Sequence, residues 1–128
     1  MDATITERII RVLARAAANE GMLPYVRFHA MFERTVPLTE RYRALEAAVR
    51  SLGDVASVDY GVLLACDNGL PGIEFFQRFR KYRAAEHVAV VGAWPVSQPT
   101  MKQKRAIASM ERARVYEHAR ERAEKACA

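Results

Sequence analysis

The densest group of chemically useful side chains is a short run in which basic and aromatic residues are mixed. It reads Arg78-Phe79-Arg80-Lys81-Tyr82-Arg83. Four cations this close together could follow a row of phosphate groups and release counterions as they bind. The simpler interpretation is an amphipathic helix whose aromatic rings face the core and whose charges face water. The sequence leaves both interpretations open.

A second basic cluster precedes the C-terminal end of the chain and consists of Lys102, Lys104 and Arg105. These residues fall in the first turn of a predicted helix, where cations oppose the helix dipole by about 0.3–1 kcal/mol each. A phosphate group that meets the cluster would explain the placement. Screening by salt, which makes the penalty negligible, is the alternative.

The net charge of +5 is unevenly distributed along the chain. Residues 1–99 hold 12 basic and 11 acidic side chains, whereas residues 100–128 hold 8 basic and 4 acidic ones. An arginine-rich segment of this kind is a reasonable place for a polyanion to bind.

Catalytic and metal-binding patterns have little support. His29, His87 and His118 are far apart and form no pair at helical ligand spacing. Neither a nucleophile elbow nor a phosphate-binding glycine loop occurs. Cys66 and His87 could form a thiolate pair if the fold joined them, but no third orienting group can be argued. We therefore expect a protein that is not an enzyme and needs no metal or cofactor.

Helical periodicity dominates the first half of the chain. The first predicted helix ends near Gly21, and a short second one opens at Pro24, with a strand as the competing interpretation of residues 25–28. The third, Leu38–Leu52, is the clearest, because one continuous apolar stripe runs along it. Its members are Leu38, Tyr42, Leu45, Val49 and Leu52.

The period then changes from 3.6 to 2, which predicts a strand over residues 58–66. A helical segment over residues 73–83 follows, then a second strand over residues 88–91 and a linker over residues 95–99. Thr100 and Gln103 have capping-box spacing, so a long helix is expected from there to about Lys125.

Three helices, two strands and a long final helix resemble the winged helix-turn-helix architecture over residues 4–94. The resemblance implies a mostly helical α+β fold, with three helices and a small antiparallel β element in a domain of residues 1–95. Residues 96–128 would add a linker and a basic helix that packs on this domain or extends from it. The resemblance also implies that Arg41, Arg43 and Arg50 on the third helix face a major groove.

The function expected from these features is nucleic-acid binding, with double-stranded DNA favoured over RNA, as a regulator or accessory factor. Two alternatives stay open. The C-terminal helix could dock on a partner or a second copy, or the basic-aromatic run could bind RNA if Phe79 and Tyr82 are exposed. The residues predicted to contact nucleic acid are Arg41, Arg43, Arg50, Arg78, Arg80, Lys81, Arg83, Lys102, Lys104 and Arg105.

The compartment expected from the sequence is the cytoplasm. The first residues show no basic-then-apolar signal pattern, and the uncharged stretches are far shorter than the roughly 20 residues of a membrane span. Cys66 and Cys127 are too few and too unevenly placed to form a disulfide framework, and we expect both to be reduced.

Overall fold

The computed structural model describes residues 3–92 and 98–127, which contain six helices and one pair of short strands. The helices are α1 (Ala3–Ala18), α2 (Tyr25–Ala30), α3 (Leu38–Leu52), α4 (Ile73–Tyr82), α5 (Ala84–Val91) and α6 (Met101–Cys127). The strands are β1 (Leu23–Pro24) and β2 (Leu64–Ala65), and a 3₁₀ turn (Tyr60–Leu63) leads into β2. The expectation of a mostly helical chain with a long C-terminal helix is confirmed.

Helices α1 and α3 form the centre of the core. Helix α1 buries Ile9, Leu13 and Ala17, which are four residues apart and therefore share one face. That face packs on α3. The predicted bounds of α3 are confirmed, although Leu38 at its start is 59% exposed and the buried stripe begins only at Ala44.

The second predicted helix is also confirmed, as the six-residue α2, and the competing strand over residues 25–28 is wrong because these residues lie in α2. Phe28 is fully buried and anchors α2 to the core. Its ring lies 5.2 Å from that of Phe32 and 6.0 Å from that of Tyr42, measured between centroids.

The predicted strand over residues 58–66 is wrong for most of its length. Residues 60–65 are all buried. The alternation of apolar side chains therefore does not reflect a strand with one face on the core and the other in solvent. The 3₁₀ turn occupies residues 60–63 of this segment, and β2 pairs with β1 in parallel, with Leu23 opposite Leu64 and Pro24 opposite Ala65. The predicted antiparallel β element is therefore corrected to a parallel one.

The second predicted strand, residues 88–91, is instead the end of helix α5. The backbone amide of Gly92 donates to the carbonyl of Val88, which is the helical pattern. Valine favours strands, but this preference depends on context, and the tertiary environment overrides it here. Most of the predicted linker, residues 95–97 among them, lies outside the described residues.

Helix α6 begins with the predicted capping box. The amide of Gln103 donates to the Thr100 hydroxyl at 3.1 Å, and the amide of Thr100 donates to the Gln103 side chain at 2.8 Å. Further along, Ile107 and Val115 are fully buried, so α6 packs against the rest of the core. Within residues 3–92 and 98–127, no helix has both the length and the apolar character needed to cross a membrane.

Candidate nucleic-acid interface

Arg78, predicted to contact phosphate, lies in the core and is 6% exposed. Its Nε donates to Asp59 Oδ2 at 2.7 Å, and its Nη1 donates to Glu46 Oε2 at 2.7 Å. Burial lowers the pKa of Arg78, but the hydrogen bonds and charge of Asp59 outweigh this and raise it above its ordinary value. This cation is neutralised inside the protein and is not offered to a ligand.

Arg83 is buried in the same way. Its two η-nitrogens donate to the two carboxylate oxygens of Glu111, and its Nε donates to the carbonyl of Val55 at 3.1 Å. A guanidinium that is fully occupied by a buried carboxylate has no free face for a phosphate. Phe79, between these two arginines, is also buried.

The three arginines of α3 differ from one another. Arg41 donates to the carbonyls of Val36 and Glu33, so it holds the turn before α3. Arg50 pairs with Glu46 and lies over the ring of Tyr82. Arg43 is exposed. Of this set, Arg43 is the most available to an external partner.

Four further residues that were predicted to contact nucleic acid are exposed or half-buried. Lys81 lies over the ring of Tyr82, and the half-buried Lys104 lies over that of Phe76. Lys102 and Arg80 are exposed.

A groove lined by arginines, which the sequence analysis missed, runs along α1 and α2. Its cations are Arg8, Arg11 and Arg15 on α1 and Arg27 on α2, around a volume of about 420 Å³. None of the described residues that line this first groove is acidic. The sequence signal was available for α1, because residues at i, i+3 and i+7 share a helix face. That face is opposite the buried stripe of α1.

A second groove adjoins the first, and the side chain of Met22, 46% exposed, lines both. Arg105 and Arg112 of α6 supply its charge, around a volume of about 610 Å³. The described lining of this groove also lacks acidic residues. Among the residues predicted to contact nucleic acid, Arg105 therefore lies in a groove with another arginine, Arg112.

Arg112 is the most unusual cation of the second groove. It is half-buried, and its Nε and Nη2 donate to the backbone carbonyls of Val62 and Leu64 rather than to a carboxylate. Burial lowers the pKa of Arg112. Because desolvation of an unpaired charge costs free energy, a bound anion at this position would be stabilising.

We call the two grooves together the arginine surface, and its cations are Arg8, Arg11, Arg15, Arg27, Arg105 and Arg112. With a rise of about 1.5 Å per residue, the arginines of α1 extend over about 10 Å. B-DNA carries one charge per about 1.7 Å of axis, so a duplex laid along this length would present several phosphates to it. Guanidinium groups suit such a ligand because each can donate two parallel hydrogen bonds.

Searches of known protein families, of curated proteins and of solved structures each found no match to this chain. In the part of the chain that the structure describes, no three His, Cys, Asp or Glu side chains are grouped so that they could hold a metal ion. His87 packs against Phe79, whereas Cys66 lines a cavity with His29.

Proposed function

We propose that this chain is a nucleic-acid-binding protein that holds a phosphate backbone on the arginine surface. One observation carries the proposal. Six arginines line two adjoining grooves, and none of the described lining residues is acidic. Double-stranded DNA is the first target to test, because its charge density matches cations spread along a helix.

The proposed mode of binding is mainly electrostatic. Contacts between arginine and phosphate fix a protein on nucleic acid but carry no sequence information of their own. An accessory role, in which the protein covers or bridges nucleic acid, therefore fits this surface better than recognition of one sequence. Arg78 and Arg83 have no part in the proposed contact, because both are neutralised in the core.

A second route follows from the winged-helix hypothesis, in which α3 reads a major groove. The exposed position of Arg43 supports it. The internal contacts of Arg41 and Arg50 weigh against it, since a base contact would require each of them to exchange a partner. We therefore treat α3 as the alternative interface and not as the first.

The two remaining alternatives have less support. Docking through α6 would need free apolar surface. Met110, which is 40% exposed, offers some, but Ile107 and Val115 are buried in the core. RNA binding through the basic-aromatic run would need stacking rings, and of its two aromatic residues Tyr82 is the partly exposed one.

The decisive experiment is a fluorescence-anisotropy titration of a labelled duplex, an RNA hairpin and a single strand across a series of salt concentrations. Six phosphate contacts predict that log K falls with log salt with a slope of about −5 on duplex DNA. The triple variant Arg8→Gln/Arg11→Gln/Arg15→Gln should reduce that slope by about 3.

The control is the double variant Arg43→Gln/Arg50→Gln, which removes two charges from α3 instead of three from α1. We expect it to leave the slope nearly unchanged. The opposite pattern, in which the α3 variant loses binding and the α1 variant keeps it, would move the interface to α3. No binding of any of the three ligands at low salt would overturn the proposed function.

A further inference from the structure

A third cavity, of about 800 Å³, lies beside the parallel strands and contrasts with the arginine surface in charge. The parallel pairing of β1 and β2 brings together the residues that follow each strand, which are the start of α2 and the turn after Ala65. The first turn of α4 closes the third side. The lining residues that matter chemically are Tyr25, His29, Tyr42, Cys66, Asp67 and Glu74.

The charge of this cavity is negative. Asp67 and Glu74 line it, and the described lining includes neither lysine nor arginine. The N-terminus of α4 adds a partial positive charge of about one half. That is smaller than the charge of two carboxylates, and the guanidinium of Arg41, 3.3 Å from the lining His29, reduces the net negative charge of the cavity without reversing it.

Glu74 is held at the cavity wall by Tyr25, whose hydroxyl donates to Glu74 Oε1 and accepts from the backbone amide of Gly72 at 3.0 Å. Burial, followed by the hydrogen bond and charge of Glu74, raises the pKa of Tyr25 far above its ordinary value. The phenol therefore stays protonated and continues to donate. Gly72 is required for this arrangement, because a Cβ there would collide with the Tyr25 hydroxyl and the Glu74 carboxylate.

Neutral aromatic rings form a second part of the wall. The ring of His29 stacks on that of Tyr25 at 6.3 Å and meets that of Tyr42 edge-on at 5.9 Å. Arg41 lies 3.3 Å from His29 Nδ1, and a guanidinium only donates, so this nitrogen accepts and the imidazole is neutral. Burial, and then the charge of Arg41, lowers the pKa of His29 in agreement with this assignment.

The rim of the cavity is apolar. Val26 is 79% exposed and Ile73 is 72% exposed, and both line the opening. Such side chains would contact the hydrocarbon part of a ligand whose polar end lies deeper. Clefts of about 300–1,000 Å³ are the usual size for small-molecule sites.

We propose that this cavity, which we call the acidic cavity, binds a small organic ammonium ion with an apolar body. The carboxylates of Glu74 and Asp67 compensate the charge of the ammonium group. The faces of Tyr25 and Tyr42 attract the cation through their ring quadrupoles, and Val26 and Ile73 cover the hydrocarbon part. The inference does not depend on nucleic-acid binding.

The test uses Cys66 as a reporter inside the cavity. The variant Cys127→Ser keeps Cys66 as its one thiol, and the rate at which iodoacetamide alkylates that thiol is measured with three probes. These are the phenethylammonium ion, its neutral isostere 2-phenylethanol and the anion 3-phenylpropionate. We expect the cation to slow alkylation at concentrations at which the other two do not.

Calorimetry of the same cation tests the acids directly. Glu74→Gln keeps the hydrogen bond from Tyr25 but removes the charge, and should weaken binding about tenfold. Asp67 lies in an exposed turn, and Asp67→Asn should also weaken binding of the cation. It provides a second variant if Glu74→Gln does not fold. Glu124→Gln, on the exposed part of α6, is the matched control and should bind as the unmodified chain does.

Three results would overturn the proposal. Equal protection by the alcohol and the ammonium ion would make the cavity merely apolar. Protection by the carboxylate probe would reverse its charge preference. No protection and no heat with the cation would remove the site, whatever the outcome of the nucleic-acid titrations.

Discussion

Arg83 and Glu111 face each other in the core, with the two η-nitrogens of the arginine 2.9 and 2.5 Å from the two oxygens of the carboxylate. Glu111 is fully buried, and its Oε2 also accepts from the backbone amide of Asp59 at 2.7 Å. One carboxylate of α6 therefore joins the start of α5 and the segment that leads into the 3₁₀ turn.

Removal of one partner of this pair should be costly. Glu111→Leu removes the buried anion of Arg83 and leaves it the partly exposed Glu86 at 3.5 Å, so we expect a loss of about 3–5 kcal/mol in the free energy of unfolding by urea. The double variant Arg83→Met/Glu111→Leu should recover part of that loss. A double variant less stable than Glu111→Leu would contradict this account. Glu117→Leu, at an exposed pair with Arg120, should cost less than about 1 kcal/mol.

The 3₁₀ turn depends on a glycine. A Cβ at residue 61 would collide with the Arg78 guanidinium and would crowd Asp59 Oδ1. Gly61→Ala should therefore destabilise the fold by about 1–3 kcal/mol, because the displaced groups are buried and charged. The control is Gly21→Ala, whose Cβ would meet its nearest atom at an ordinary 3.6 Å. Equal unfolding midpoints for the two variants would refute the argument.

The capping box of α6 should contribute measurably to stability. Thr100→Ala removes the hydroxyl that accepts from the Gln103 amide, and helix caps of this kind are worth about 0.5–2 kcal/mol. Ser109→Ala, at an exposed position within the same helix, should change stability by less than about 0.5 kcal/mol. Thermal unfolding followed by circular dichroism would compare the two.

Acid should destabilise the protein partly through His87. Burial, and then the charge of Arg80, lowers the pKa of His87 below its ordinary value of 6.5. Below pH 6.5 the unfolded chain therefore binds a proton that the folded state resists, and stability falls as the pH falls. His87→Leu should show a smaller difference in unfolding free energy between pH 7.5 and pH 5.5. An unchanged difference would exclude His87 as a source.

Single contacts on the arginine surface can be counted by salt dependence. Arg27→Ala should reduce the slope of log K against log salt on duplex DNA by about 1, since one phosphate contact is lost. Arg34→Ala removes an exposed arginine that does not line either groove and should leave the slope unchanged. Equal effects of the two variants would indicate that net charge alone, and not the grooves, governs binding.

Helices α1 to α4 were predictable from their apolar periodicity and α6 from its capping box, whereas α5 was missed because residues 88–91 were predicted to form a strand. In α3 the apolar period survives in the folded state, and both ends were placed correctly. Both predicted strands were wrong for most or all of their length. Residues 60–65 are buried on all sides, and Val88 to Val91 lie in helix α5. An alternating apolar pattern carries no information about pairing when both faces of a segment are covered.

The candidate site was only partly predictable. Nothing local indicates that Arg78 is neutralised by Asp59, 19 residues earlier, or Arg83 by Glu111, 28 residues later. The common face of Arg8, Arg11 and Arg15 follows from their spacing alone. That Arg27 joins them does not, because it depends on how β1 packs against both α1 and α2.

The dependence of the core on α6 also bears on how the protein is made. A ribosome adds Arg83 about 1 to 6 seconds before Glu111, at ordinary rates of synthesis. During that interval the nascent chain holds a cation whose buried partner does not yet exist, and it lacks Ile107 and Val115 to cover α1. Translation that stops before α6 would yield a fragment with an unpaired charge and open apolar surface, which is the kind of product that chaperones and proteases recognise.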